Sequence, residues 1–321
     1  MQAISIQDFT EAQNLTISEV SDPKRESGEL LVETIAAGVN FIDTYQRQGL
    51  PSYQKPLPLV LGLEGSGRVL ETDQGSNFKV GEIVAWPFQP GSYAEKVSIP
   101  ETKAVGVPND LDPKIAAAVM LQGLTAHYLS RSTFPITPDT TALVHAGSGG
   151  VGRLLVQMIK NAGGEVIATA SSELKRQSLE TIGADHAIDY KDFDQQVRTL
   201  TKNQGVDVVY DGVGKDTYMQ SLASLKKRGL LALFGASSGP VPPMDLQLLN
   251  SMGSLFITRP TLADYIATRE ELESRTNELF QEILDAKLKV EIGGEYPLAD
   301  ASQAHLDIES RNTSGKLLLI T

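Results

Sequence analysis

Thr141-Ala-Leu-Val-His-Ala-Gly-Ser-Gly-Gly-Val-Gly152 is an apolar run that breaks into glycines and continues as Arg153-Leu-Leu-Val-Gln-Met-Ile-Lys160. Its periodicity reads as a buried strand, a tight turn and a helix whose first backbone amides can hold a diphosphate. Gly147 and Gly149 would permit the turn and a close approach of backbone to phosphate, and Gly152 would let the helix pack on the strand. An ordinary glycine-rich strand-to-helix turn fits the same pattern, so the flanking segments decide. Glu165–Ala170, Ala184–Tyr190, Val206–Asp211 and Leu230–Phe234 follow at the pace of helix-separated parallel strands. The pattern predicts an α/β chain built on a doubly wound (Rossmann) parallel sheet.

Upstream, as far as about Val107, short alternating segments such as Leu30–Ala36, Gly67–Leu70 and Glu82–Trp86 are punctuated by Gly and Pro, which predicts a compact strand-rich domain. Ile115–Leu121 is helix-friendly, and a domain junction is expected near Gln122. Downstream, Ser254-Leu-Phe-Ile257 reads as a strand at the sheet edge. An exposed edge needs cover, so pairing of this strand across a twofold axis predicts a homodimer. Leu262 to Lys289 reads as one long amphipathic helix, with apolar residues at Tyr265, Ile266, Leu272, Leu279, Phe280, Ile283 and Leu284. Gly315–Ile320 reads as a strand returning to the first domain. The expected division is residues 1–121 with 258–321 for the strand-rich domain and 122–257 for the dinucleotide-binding domain.

A chain of 321 residues exceeds what one core usually serves, which agrees with two domains. Forty acidic residues against 28 basic ones give a formal charge of -12. That balance argues against nucleic acid or an anionic membrane as partner. The chain has no cysteine, which excludes disulfides, thiolate nucleophiles and cysteine-ligated zinc. Met1–Phe9 lacks the basic lead and apolar core of a signal peptide, and no apolar run has membrane-spanning length, so a soluble cytoplasmic protein is expected. The four histidines show no metal-ligand spacing and no assignable Ser/His/Asp order; His145, in the buried strand, and His127, on a helix, read as structural.

In NAD-selective sites an acidic residue about 20 positions after the glycine turn binds the adenosine ribose. Here that place holds Ser171 and Ser172, with Lys175 and Arg176 close behind. Two hydroxyls and a cation suit a ribose phosphate where a carboxylate would repel it, so NADPH is expected over NADH. On charge pattern alone, Lys175 and Arg176 read equally well as solvated helix residues.

Beyond these motifs the chain resembles the zinc-free quinone oxidoreductases of the medium-chain dehydrogenase/reductase superfamily, the zeta-crystallin group included. The likeness runs through Gly38-Val-Asn-Phe-Ile-Asp-Thr-Tyr-Gln-Arg-Gln-Gly49, Gly62-Leu-Glu-Gly-Ser-Gly67, Gln122-Gly-Leu-Thr-Ala126, Ala146–Gly152, Val209-Tyr-Asp-Gly-Val-Gly214, Phe234-Gly-Ala-Ser-Ser-Gly239 and Thr258-Arg-Pro-Thr-Leu262. It implies a GroES-like catalytic domain beside the Rossmann domain. Zinc-bearing relatives typically carry a histidine where Leu63 stands and a cysteine where Asn40 stands, so the resemblance implies no metal. Without a Lewis acid, the expected chemistry is hydride donation from NADPH to an acceptor already poor in electrons, such as a quinone.

The resemblance also implies site residues. Asn40, Asp43 and Tyr45 would line the nicotinamide cleft, with Tyr53 less securely matched. Asn40 and Tyr45 would donate hydrogen bonds to a quinone oxygen as charge develops on it. Asn40 could equally hold a turn, and Asp43 could equally cap a helix or orient its neighbours. Thr125 would lie near the nicotinamide, Gly149, Gly150, Val151 and Gly152 over the diphosphate, and Tyr190 against the adenosine. Phe234, Ser237, Ser238, Arg259 and Lys316 would face the cofactor, with the quinone bound between the domains. Two alternatives remain open: an NADPH-dependent enone or alkenal double-bond reductase, and a catalytically idle NADPH-binding protein of crystallin-like or RNA-binding kind.

Overall fold

The structure, a computed structural model, describes residues 1–321. The chain divides into two compact units. Unit 1 comprises Met1–Leu124, Ile266–Ala286 and Val290–Thr321, and unit 2 comprises Thr125–Tyr265 and Lys287–Lys289.

Beside a small sheet of strands Gln2–Ile6, Ile17–Glu19 and Leu59–Val60, unit 1 holds β1 (Glu29–Val39), α1 (Phe41–Arg47), β2 (Gly65–Glu71), β3 (Ile83–Trp86), β4 (Lys96–Pro100), β5 (Val105–Gly106) and α2 (Pro113–Val119). β1 pairs antiparallel with both β2 and β4. Leu30 and Val32 of β1 pack with Val69, Val84, Trp86, Val97 and Ile99 in a buried cluster. α2 starts where Asp112 accepts from the Lys114 amide at 2.8 Å and Pro113 takes the first helical position, which needs no N–H.

After α3 (Gln122–Tyr128) the chain builds β6 (Thr141–Val144), α4 (Gly150–Asn161), β7 (Glu165–Thr169), α5 (Glu173–Thr181), β8 (His186–Ile188), α6 (Phe193–Leu200), β9 (Val206–Asp211), α7 (Tyr218–Ser224), β10 (Leu225–Leu233) and β11 (Phe256–Thr258). The six strands run in the order β8-β7-β6-β9-β10-β11, every pairing parallel. This is the doubly wound sheet the sequence predicts. Its order reverses between β6 and β9, and in such sheets the ligand crevice lies outside the carboxyl ends of the strands at that reversal. β11 is the edge strand, and its Phe256 is 60% exposed.

The single helix predicted over Leu262–Lys289 is two. A four-residue turn, Leu262–Tyr265, ends with the Tyr265 ring stacked on Tyr128 at 4.2 Å in unit 2. The helix proper, α8 (Arg269–Leu284), starts afresh at a capping box: Thr268 Oγ1 accepts from the Glu271 amide, and the Glu271 carboxylate accepts from the Thr268 amide. The Thr-x-x-Glu spacing spells that start, and amphipathic periodicity alone ran across it. The chain then adds β12 (Ile292–Pro297), α9 (Ala301–Ser310) and β13 (Lys316–Ile320) to unit 1. β13 pairs antiparallel with β1, which gives a sheet ordered β12-β13-β1-β2-β3-β5 with β4 also on β1. No helix is long and apolar enough to cross a membrane.

Candidate active site

In unit 2 the turn after β6 is made by Ala146, which sits in the left-handed region at φ 49. The motif's glycines all keep negative φ, so the expectation that Gly147 and Gly149 permit the turn is corrected. The motif needs its glycines for close packing. A Cβ on Gly152 would lie 2.4 Å from Ala146 O and 2.7 Å from Gly147 Cα, and one on Gly147 would press Leu179 and Ala168. At Gly149, the N-cap of α4, a Cβ would meet only Ala146 O at 3.2 Å, so the outer side of the turn is open to a ligand. There α4 presents its first amides, a standard diphosphate seat.

The strained alanine is held from both sides. Its N–H donates to Tyr190 Oη at 2.9 Å, and the Tyr190 ring stacks on the adjacent His145. His145 is buried, and burial pushes its pKa down, so the ring is neutral. Its Nδ1 lies 2.9 Å from Thr169 Oγ1 and its Nε2 3.0 Å from Ser221 Oγ. Ser221 in turn donates to Asp211 Oδ2 at 2.9 Å, and Asp211 also accepts from Thr217 and from the Val213 and Gly214 amides. The fold thus brings together a serine, a histidine and an aspartate that the sequence alone did not connect. The wiring is not nucleophilic, because the serine proton goes to the aspartate and all three side chains are sealed from solvent.

The remaining cofactor candidates follow the carboxyl ends of the strands. Ser171, Ser172 and Lys175 come after β7, where Ser172 caps α5 by accepting from the Lys175 amide at 3.3 Å. Partial burial lowers the Lys175 pKa. Arg176 donates to Glu173 and Ala170 O and so serves the helix. Tyr190 follows β8, and Phe234, Ser237 and Ser238 follow β10. Ser238 spends its hydroxyl on Val213 O and the Asp216 amide. Arg259 follows β11 and donates to Leu233 O at 2.8 Å. Thr125 is half-buried in α3.

Unit 1 carries a second cluster, around the start of α1. Lys316 Nζ donates to Asn40 Oδ1 at 2.7 Å and to Glu64 Oε1. Asn40 Nδ2 donates to the same Glu64 oxygen at 2.7 Å and to Gly38 O at 3.3 Å, while Glu64 Oε2 accepts from the Leu121 amide at 2.5 Å. Only glycine fits at position 38, because a Cβ there would lie 2.2 Å from Glu64 Oε1. Asp43 Oδ2 accepts from the Asn40 amide at 2.8 Å and from Tyr93 Oη at 3.1 Å, and its buried Oδ1 has no hydrogen-bond partner. Burial pushes Asp43 up to about 7, against the pull of the Lys316 charge. Tyr45 lies with its ring 5.0 Å from Tyr53 and 6.3 Å from Phe41.

Two expectations change here. Lys316, grouped with the cofactor residues, is buried with its ammonium on Asn40 and Glu64. Asn40 has both amide hydrogens committed within the cluster, so donation to an acceptor requires it to release one. The sequence reading missed Glu64, Arg47, Tyr93 and His305 as parts of this site. Glu64 stands inside the quoted Gly62-Leu-Glu segment and Arg47 inside the quoted Gly38–Gly49 segment, whereas Tyr93 and His305 carry no local signal.

Two family descriptions match the chain: Zinc-binding dehydrogenase over residues 150–282 and Alcohol dehydrogenase GroES-like domain over residues 26–109. The residues here do not fit zinc. Asn40 and Leu63 offer no thiolate or imidazole, the Glu64 carboxylate already holds an ammonium, and no cluster of three or more His, Asp or Glu could take a metal. Quinone oxidoreductase 1 of Escherichia coli is 43% identical over 299 residues, 91% of each chain. A mycobacterial protein solved in complex with NADPH superposes with a TM-score of 0.97 at 43% identity, covering all of both chains. The 2-haloacrylate reductase of a Burkholderia species is 37% identical over 96% of this chain and 95% of its own.

Proposed function

The chain belongs to the quinone oxidoreductases of the medium-chain dehydrogenase/reductase superfamily, and from that premise we propose that it reduces a quinone with hydride from NADPH. The observation that carries this reading is the Lys316–Glu64–Asn40 cluster. An ammonium stands among donors that offer no seat for a Lewis acid, so an alcohol's alkoxide has no metal to stabilise it, whereas an electron-poor acceptor needs none. Bound NADPH supplies the hydride. The chain's own residues seat the diphosphate at Gly149–Gly152 and the ribose phosphate at Ser171, Ser172 and Lys175. Asn40, Asp43, Tyr45 and Tyr53 shape the acceptor pocket, and the half-buried Tyr45 and Tyr53 form an apolar aromatic face on which a quinone ring stacks.

A second reading, reduction of an activated carbon–carbon double bond, is favoured by the 2-haloacrylate reductase among the relatives. Both acceptors take hydride into a conjugated carbonyl system. NADPH oxidation is to be followed with a quinone, with an enone and with no acceptor, on protein purified free of flavin and metal. Quinone-dependent turnover is the expected result. Turnover with the enone alone replaces the first reading by the second, and tight NADPH binding without turnover on any acceptor defeats both.

The proposal includes a homodimer formed through β11, supported by its place at the sheet edge and by exposed Phe256. Sedimentation at micromolar concentration is expected to give twice the 34.6 kDa chain mass. A cytoplasmic setting, in keeping with the cysteine-free chain, completes the reading.

A further inference from the structure

Helix α1 carries Asp43 and Tyr45 and is capped by Asn40, and its buried side is held by groups that no step of the proposed reaction uses. Arg47, fully buried, donates through Nη2 to Glu309 at 2.7 Å, and its Nη1 lies 3.4 Å from His305 Nδ1. His305 Nε2 lies 3.3 Å from Tyr93 Oη, which meets Asp43 Oδ2 at 3.1 Å. A guanidinium has only donors, so His305 Nδ1 accepts. Its Nε2 then bears the proton and donates to Tyr93 Oη, and the tyrosine proton goes to Asp43.

Three hydrogen bonds therefore run one way, from Arg47 to the carboxylate, each polarising the next. The protonation states agree with that direction. Burial takes His305 down to about 3, so the ring is neutral, and holds Tyr93 well above its ordinary value, so it stays a phenol. The chain joins α1, the segment before β4 and α9, and Arg47 and His305 stand 258 positions apart in sequence.

We propose that Tyr93 and His305 are positioning residues for the reaction: the chain from Arg47 keeps Asp43 an acceptor for the Asn40 amide, and so fixes the start of α1 in the arrangement that turnover requires. The inference rests on the quinone-reductase reading of the site. Asp43 is faced by Lys316 from β13, Glu64 from the segment before β2, Tyr93 from the segment before β4 and, through Tyr93, His305 from α9, with Arg47 one turn along its own helix. Lys316 and Tyr93 favour the carboxylate, while Glu64 and burial oppose it. Protonation of Asp43 at its unpartnered Oδ1 removes the charge that strengthens the bonds from the Asn40 backbone N–H and Tyr93 to Oδ2, so turnover falls on the acid side of neutrality.

The test is the pH profile of kcat and of quinone KM, from about pH 5.5 to about pH 8.5. Tyr93→Phe removes one donor to the carboxylate and should move the acid limb upward by about one pH unit. NADPH affinity, read by cofactor fluorescence, should stay within about twofold. His305→Leu should move the limb the same way by less, and His305→Gln, which keeps a donor, should restore most of it. In parallel, the Asp43 carboxyl carbon is titrated by NMR, which needs no turnover. A midpoint that rises in Tyr93→Phe supports the chain, and one that does not move overturns it. An acid limb equally displaced in His305→Leu and His305→Gln also overturns it. If the unaltered protein oxidises no NADPH with quinones, the functional reading falls, and the carboxyl titration still decides the chain.

Discussion

Unit 2 shapes its functional end with backbone, and unit 1 shapes its own with buried charge. The turn at Ala146 to Gly152 is one continuous stretch whose tightest approach, at Gly152, is to main-chain atoms of Ala146 and Gly147, and the network behind it is built on neutral side chains around Asp211. The cluster at α1 gathers Gly38, Asn40 and Asp43, Glu64, Tyr93, His305 and Lys316, each on a different segment, around two carboxylates and an ammonium sealed from water. A backbone seat tolerates many side chains nearby but no added Cβ. A buried charge cluster tolerates backbone shifts but not the loss of one partner.

The sharpest way to break the comparison is to remove a partner in unit 1. Lys316→Met leaves Glu64 buried and uncompensated, and should lower stability in urea denaturation by about 3–5 kcal/mol. Adding Glu64→Gln should recover most of that loss. A single variant that unfolds at the original urea concentration would mean that the ammonium does not hold the cluster. In unit 2 the matching lesion is Gly152→Ala, whose methyl meets two main-chain groups that cannot turn aside. NADPH binding should weaken by about 100-fold, near 2.7 kcal/mol, and urea unfolding should show a smaller loss of about 1–3 kcal/mol.

Asp43→Asn sharpens the contrast through pH. The folded pKa of about 7 stands above the ordinary aspartate value of 3.8, so the folded chain binds the extra proton between those values. Stability from this group is then greatest below pH 3.8 and is lost as pH rises toward 7. The amide escapes that loss. Asp43→Asn should therefore be more stable than the parent above neutrality, by on the order of 2 kcal/mol, and no more stable at low pH. Thermal unfolding at the two ends of the range measures the difference. A constant offset would show that Asp43 does not titrate where its burial places it.

The same contrast explains what could be read from the chain before its structure. Glycines spaced within a dozen residues and strands at regular intervals are local signals, and they give the doubly wound parallel sheet, though not the order of its strands. Ala146 took the left-handed turn where a glycine was expected because Tyr190 and His145, brought in by β8 and β6, hold it there. The unit 1 cluster has no comparable signature. Glu64, Tyr93 and His305 come from segments far apart in the chain with no shared spacing, and only the pairing of β13 with β1 brings Lys316 to Asn40. The break between Tyr265 and Thr268 was legible as Thr268-x-x-Glu271 and was hidden by the apolar stripe running through it.

The smallest effect expected is also the most selective. Ser171, Ser172 and Lys175 follow the strand next to the glycine turn, and a 2′-phosphate placed there would draw on a side-chain cation rather than on backbone. Unit 2 would then contain one feature of the unit 1 kind, at its exposed rim, where solvent screens the charge and limits its worth. Lys175→Ala should raise the Kd for NADPH by about tenfold, near 1.4 kcal/mol, and leave NADH within about twofold. High salt should shrink that ratio, because the lost interaction is a screened charge pair. Equal losses for the two cofactors would instead make Lys175 a packing residue of α5, and the choice of NADPH would then have to rest on the two serines alone.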